Sequence, residues 1–78
     1  MFGFGKNKLK HDELETLVQK IEINMGNNYK DASHEAFRKF EEKYQELLSN
    51  KKLSAKQEMY YEQLIKDYRK ELENFSHK

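Results

Sequence analysis

The chain has 78 residues, 36% of them hydrophobic and 37% charged, with a formal net charge of +1 and neither Cys nor Pro. That length is near the lower limit at which one hydrophobic core holds unaided, so it allows a single domain, and the near-neutral charge argues against a strong electrostatic footprint for phosphate backbones. No stretch approaches the roughly 18 apolar residues of a membrane span, the lack of Cys removes thiolate and disulfide chemistry, and five Tyr with five Phe keep so polar a chain out of the disordered class.

Residues 1–10 carry Phe2, Phe4, Lys6, Lys8 and Lys10 among two Gly, with no helical period. They read as a flexible basic and aromatic tail. Phe2 and Phe4 could dip into lipid headgroups while the lysines meet anionic lipid, a weak peripheral membrane contact. With no signal-peptide-like run at the start, the expected compartment is the cytoplasm.

From His11 the pattern changes. Asp12 suits a helix cap, acids fill the first turn where the helix dipole favours them, and Leu14, Leu17, Val18, Ile21 and Met25 share one face. This predicts a first helix over about residues 12–25, with Ile23 off its stripe. Gly26-Asn27-Asn28 is the strongest internal break, because Gly and Asn accept the left-handed backbone that ends helices and Asn also caps the next one.

A second helix is predicted over about 28–49 from Tyr29, Ala32, Ala36, Phe37, Phe40, Tyr44, Leu47 and Leu48 at three- and four-residue spacing. Its charged face holds Glu35 with Lys39 and Arg38 with Glu42, pairs that mark the solvent side. Ser54-Ala55-Lys56-Gln57 reads as a capping box that opens a third helix over about 54–75. There Tyr61, Leu64, Ile65, Tyr68, Leu72 and Phe75 form the apolar stripe, opposite Glu58, Glu62, Lys66, Arg69, Lys70 and Glu73.

Short connections imply antiparallel neighbours, so residues 11–78 are expected to form one all-α domain, an antiparallel three-helix bundle with a shorter first helix against a long helical hairpin. The length mismatch would leave part of the hairpin's stripe without intramolecular cover.

Catalytic constellations are wanting. His34-Glu35-Ala36-Phe37-Arg38 begins like a zinc-protease helix but places Arg38 where the second His must stand, and Asp31 with His34 lacks the inward carboxylates of a two-metal bundle. His11 and His77 lie at segment edges without an evident partner. No Ser is joined to a base or an oxyanion-type glycine loop, so the chain is expected not to be an enzyme, with no catalytic or metal-ligating residue, no cofactor and no small-molecule substrate.

The aromatic residues point instead to binding. Tyr29, Tyr44 and Tyr60 lie at or beside the stripe edges and are the candidate partner-binding residues, since an exposed Tyr supplies contact area and one hydrogen bond at low entropy cost. A second basic cluster, Lys51, Lys52 and Lys56, joins Lys6, Lys8 and Lys10 as candidate polyanion contacts. The expected role is a small non-catalytic protein-interaction or adaptor module whose partner is another protein or a second copy in a homodimer. The alternative is an accessory factor touching nucleic acid or anionic membrane through those lysines, with nucleic acid disfavoured by the net charge.

Gly26-Asn27-Asn28-Tyr29-Lys30-Asp31-Ala32 resembles the turn and second-helix start of a tetratricopeptide unit, departing by an extra residue between Gly26 and Tyr29 and by the lack of an early Trp. The start Met1-Phe2-Gly3-Phe4-Gly5-Lys6 followed by a compact charged bundle resembles short bacterial helical proteins of no assigned activity, some carried on mobile genetic elements. That resemblance implies a cytoplasmic origin and carries over no functional residue.

Overall fold

The computed structural model describes residues 10–74. Three helices follow in order, α1 (Asp12–Gly26), α2 (Lys30–Ser49) and α3 (Ala55–Glu73), with no strand among the described residues. The tail residues Phe2, Phe4, Lys6 and Lys8, and Phe75 and His77 at the other end, lie outside them. Short turns set successive helices antiparallel, so α1 and α3 run parallel: Tyr61 meets Glu15 and Tyr68 meets Glu22, each partner advancing seven residues. The chain is an all-α three-helix bundle with a 15-residue helix against a hairpin of 20 and 19 residues.

The helix ends show which local signals acted. α3 opens on the expected capping box: the Ser54 hydroxyl accepts from the Gln57 N–H at 3.1 Å, and the Gln57 side chain accepts from the Ser54 N–H at 3.0 Å. α1 does not start on an Asp12 cap. His11 takes that position without a side-chain cap bond, and its own N–H is held at 2.8 Å by the Tyr61 hydroxyl, so a tertiary contact fixes the entry instead.

Both turns are Schellman motifs, in which the two residues after the cap donate back to the last helical turn. Asn28 and Tyr29 donate to Met25 and Asn24, and Lys51 and Lys52 donate to Leu48 and Leu47. The left-handed residues are therefore Asn28 (φ 62°) and Lys51 (φ 55°), while Gly26 remains helical. Because Asn28 closes α1 it cannot also cap α2, and that helix begins two residues later than the sequence suggested, behind Tyr29, which offers no side-chain cap.

The core is Leu14 and Ile21 from α1, Ala36, Phe37, Phe40, Tyr44 and Leu47 from α2, Leu53 from the second turn, and Tyr61, Ile65, Tyr68 and Leu72 from α3. One position is corrected by the geometry: Ala32 is exposed and Ser33 is fully buried, because Ser33 can satisfy its hydroxyl on the Tyr29 carbonyl at 2.7 Å while showing the core only a small surface. The hairpin's far end is covered too: Tyr44, Leu47 and Leu53 are buried although α1 is short.

Side-chain size sets the helix spacing. Ala36 stands two turns before Lys43 on one face of α2, and Lys43 reaches Glu13 of α1 at 3.9 Å, so the edge of the stripe that carries the small Ala36 turns toward α1, where the backbones close. Rings fill the space toward α3, with Phe37 edge-on to Tyr68 at 6.3 Å and Phe40 edge-on to Tyr61 at 6.0 Å. They prop α3 outward, and its Cα atoms stay more than 8 Å from every Cα of α1. The long side chains of Tyr61 and Tyr68 span that gap to Glu15 and Glu22.

Candidate functional site

The propping opens a groove of about 320 Å³ along the outer side of the α2–α3 pair. Its α2 wall is Glu41, Tyr44, Gln45 and Leu48, and its α3 wall is Glu58, Glu62, Ile65, Lys66 and Arg69, residues that recur at three- and four-residue spacing and so line one face of each helix. Tyr44 and Ile65 are buried at its base and Leu48 is half-buried, which gives an apolar floor. The Tyr44 hydroxyl donates to the Glu58 carbonyl at 3.2 Å and fixes the ring.

Charge is divided along the groove. At one end Arg69 is bonded to Glu41 and ties the helices together. At the other, Glu58 and Glu62 stand one turn apart on the same side of α3, and neither has an ion-pair partner among the described residues. Lys66 lies one further turn along and is likewise without one. The Tyr44 hydroxyl is held above its usual pKa, first by burial and then by the negative charges of Glu62 and Glu58. The groove thus offers an apolar floor, an unpaired acidic half and a half carrying an unpaired Lys.

The three tyrosines singled out in the sequence are not brought together. Tyr29 is 58% exposed at the start of α2, about 22 Å along the helix from Tyr44 at the 1.5 Å rise per residue. Tyr60 is half-buried, its ring edge-on to Tyr61 with centroids 4.8 Å apart. Tyr44, expected at the rim, is only 5% exposed: its ring belongs to the core and only its edge reaches the groove. Tyr44 keeps its place at the edge of the stripe, but α3 closes over it.

Lys10, Lys51, Lys52 and Lys56 are all exposed, and since α1 begins where α2 ends, they gather at one end of the bundle. Asp31 and His34 are both exposed on α2, and no group of three or more His, Cys, Asp or Glu among the described residues is placed to hold a metal ion. No helix of the described chain is long and apolar enough to cross a membrane.

Sequence reading missed the groove's acidic lip. Glu58 and Glu62 fall opposite the apolar stripe in the sequence pattern, and the structure keeps Glu62 exposed and Glu58 half-buried on the lip of the groove; their position beside Tyr61 and Ile65 is the available signal, and it becomes meaningful only once the facing helix is seen to stand back. Comparison with protein-family models, with curated proteins and with solved structures finds no match for this chain.

Proposed function

We propose that this protein is a small non-catalytic interaction or adaptor module that binds another polypeptide through the α2–α3 groove. The observation that carries this reading is a groove with an apolar floor whose rim holds Glu58, Glu62 and Lys66 without ion-pair partners among the described residues. At about 320 Å³ it falls at the bottom of the roughly 300–1,000 Å³ range of small-molecule pockets, and it is open along its length, which suits side chains presented by a partner better than a free metabolite. The Ser33 hydroxyl is committed to a backbone carbonyl and His34 stands in solvent, and neither arrangement supplies an activated nucleophile. A reducing compartment such as the cytoplasm suits a chain without Cys.

The reading is tested with a photo-crosslinking residue at Gln45, on the groove wall, and a second at Gln19, on the exposed surface of α1, combined with light scattering across concentrations. Crosslinks to a defined protein from Gln45 and not from Gln19 are the expected result. Equal labelling from both positions by a strictly monomeric protein would sink it.

A second reading is favoured by one observation: Lys10, Lys51, Lys52 and Lys56 crowd one end of the bundle, and the described residues hold no ion-pair partner for Lys51, Lys52 or Lys56. On that reading the basic end contacts anionic membrane or nucleic acid. Binding to polyanions that weakens steeply with salt and is lost in a Lys51→Gln/Lys52→Gln/Lys56→Gln variant is the expected signature.

A further inference from the structure

We propose that the α2–α3 groove recognises a single arginine on a partner polypeptide, seated with its aliphatic stem on Leu48, Tyr44 and Ile65 and its guanidinium between Glu58 and Glu62; this rests on reading the groove as a protein-binding surface. The charge pattern selects the occupant. Two carboxylates one turn apart beside an apolar floor complement a side chain that is apolar along its length and cationic at its tip, and the planar guanidinium can engage two carboxylates at once where an ammonium acts as a point charge.

The same pattern limits the partner to one cation at this place. Lys66 lies about 6 Å beyond Glu62 along α3 and Arg69 further still, so a second positive charge would be repelled while a carboxylate would be drawn to Lys66. The matching partner is therefore an amphipathic helix carrying Arg and Glu four residues apart beside a Leu-bearing face, and not a polycation. Neither Glu58 nor Glu62 must break an existing ion pair within the described chain to accept the arginine, whereas Glu41 is already committed to Arg69.

The experiment is a titration of the isotopically labelled full chain, followed by NMR, with an acetylated and amidated helical peptide of that pattern. Its twin carries citrulline, a neutral shape-mimic, in place of Arg. The expected result is saturable shifts at Tyr44, Leu48, Glu58, Glu62 and Ile65, with affinity at least about tenfold weaker for the citrulline twin, the scale of a lost hydrogen bond to a charged group. Glu62→Gln should narrow the difference between the two peptides and Glu58→Gln/Glu62→Gln should abolish it, and circular dichroism reports that the variants remain helical.

Equal binding of Arg and citrulline peptides in the groove would overturn the arginine assignment and leave the interaction surface standing. Shifts confined to other faces, or no saturable shift, would overturn the assignment outright, and the Gln45 crosslinking then decides the broader reading by itself. Groove resonances that move on dilution of the protein alone would assign the surface to a second copy and also overturn it.

Discussion

The two seams of α2 differ in how closely the backbones approach across them. Toward α1 it presents Ala36 and a polar tie from Lys43 to Glu13, and the backbones close; toward α3 it presents Phe37, Phe40 and Tyr44, and the backbones stand apart over a groove. The groove is thus a consequence of large rings packed edge-on, which lowers the energy of the core while preventing the helices from meeting along their outer edge. Tyr44 and Ile65 belong at once to the core and to the floor of the groove.

The comparison is broken most severely by changing ring volume on each side. Phe40→Ala removes a fully buried ring between α2 and α3 and is expected to cost about 3–5 kcal/mol, a large part of the roughly 5–15 kcal/mol typical of a domain. Ala36→Leu forces extra methylene groups into the closed seam and should cost about 1–3 kcal/mol. Urea denaturation of both variants checks the order; a larger loss from Ala36→Leu would mean that the small-residue seam, and not the ring stack, is the principal support.

The parallel pair α1 and α3 supplies a finer test, because two tyrosine hydroxyls bridge it. Tyr61 donates to Glu15 at 2.6 Å and accepts from the His11 N–H, whereas Tyr68 donates only to Glu22, an exposed residue that water can serve. Tyr61→Phe should therefore cost about 1.5 kcal/mol and Tyr68→Phe about 1 kcal/mol, since the first also strands a half-buried N–H. Both hydroxyls have pKa values raised above the ordinary 10, chiefly by burial and then by the bond to Glu15 or Glu22. A Tyr raised in the folded state contributes stability that is complete below pH 10 and is lost as pH rises above it, because the unfolded chain ionises first. Denaturation midpoints should fall above pH 10, and the double variant Tyr61→Phe/Tyr68→Phe should show a shallower fall than the parent; parallel curves would remove the hydroxyls from the account.

Much of the architecture was legible in the chain because it depends on local patterns: the apolar period gave three helices, and Ser54 with Gln57 announced the start of α3. What escaped was decided by neighbours distant in sequence. His11 enters α1 because Tyr61, fifty residues on, holds its N–H. Tyr44 is core because α3 covers it, although its place at the edge of the stripe is unchanged. The equal seven-residue steps from Glu15 to Glu22 and from Tyr61 to Tyr68 were visible, yet two spacings become a pairing only when the helices are known to run parallel. The groove's acidic lip was hidden for the same reason, since a carboxylate beside an apolar stripe is ordinary until the facing helix is seen to stand back.

The smallest expected effect sharpens the contrast between the two turns. Both close with the same hydrogen bonds, but the left-handed residue is Asn28 in the first and Lys51 in the second. Asn tolerates this conformation, while a Cβ-bearing Lys is strained there by roughly 1–2 kcal/mol. Gly relieves that strain and gives back part of the gain through the extra freedom of the unfolded chain. Lys51→Gly should therefore stabilise by about 0.5–1 kcal/mol and raise Tm by about 4 °C, whereas Asn28→Gly should change it by no more than about 1–2 °C. Thermal melts of the two variants side by side test this, and an equal response would show that the strain at Lys51 is offset within its own turn. Because Lys51 lies outside the groove, a stabilised Lys51→Gly protein should also bind the arginine peptide with unchanged affinity, which separates the rigidity of the bundle from the chemistry of its open seam.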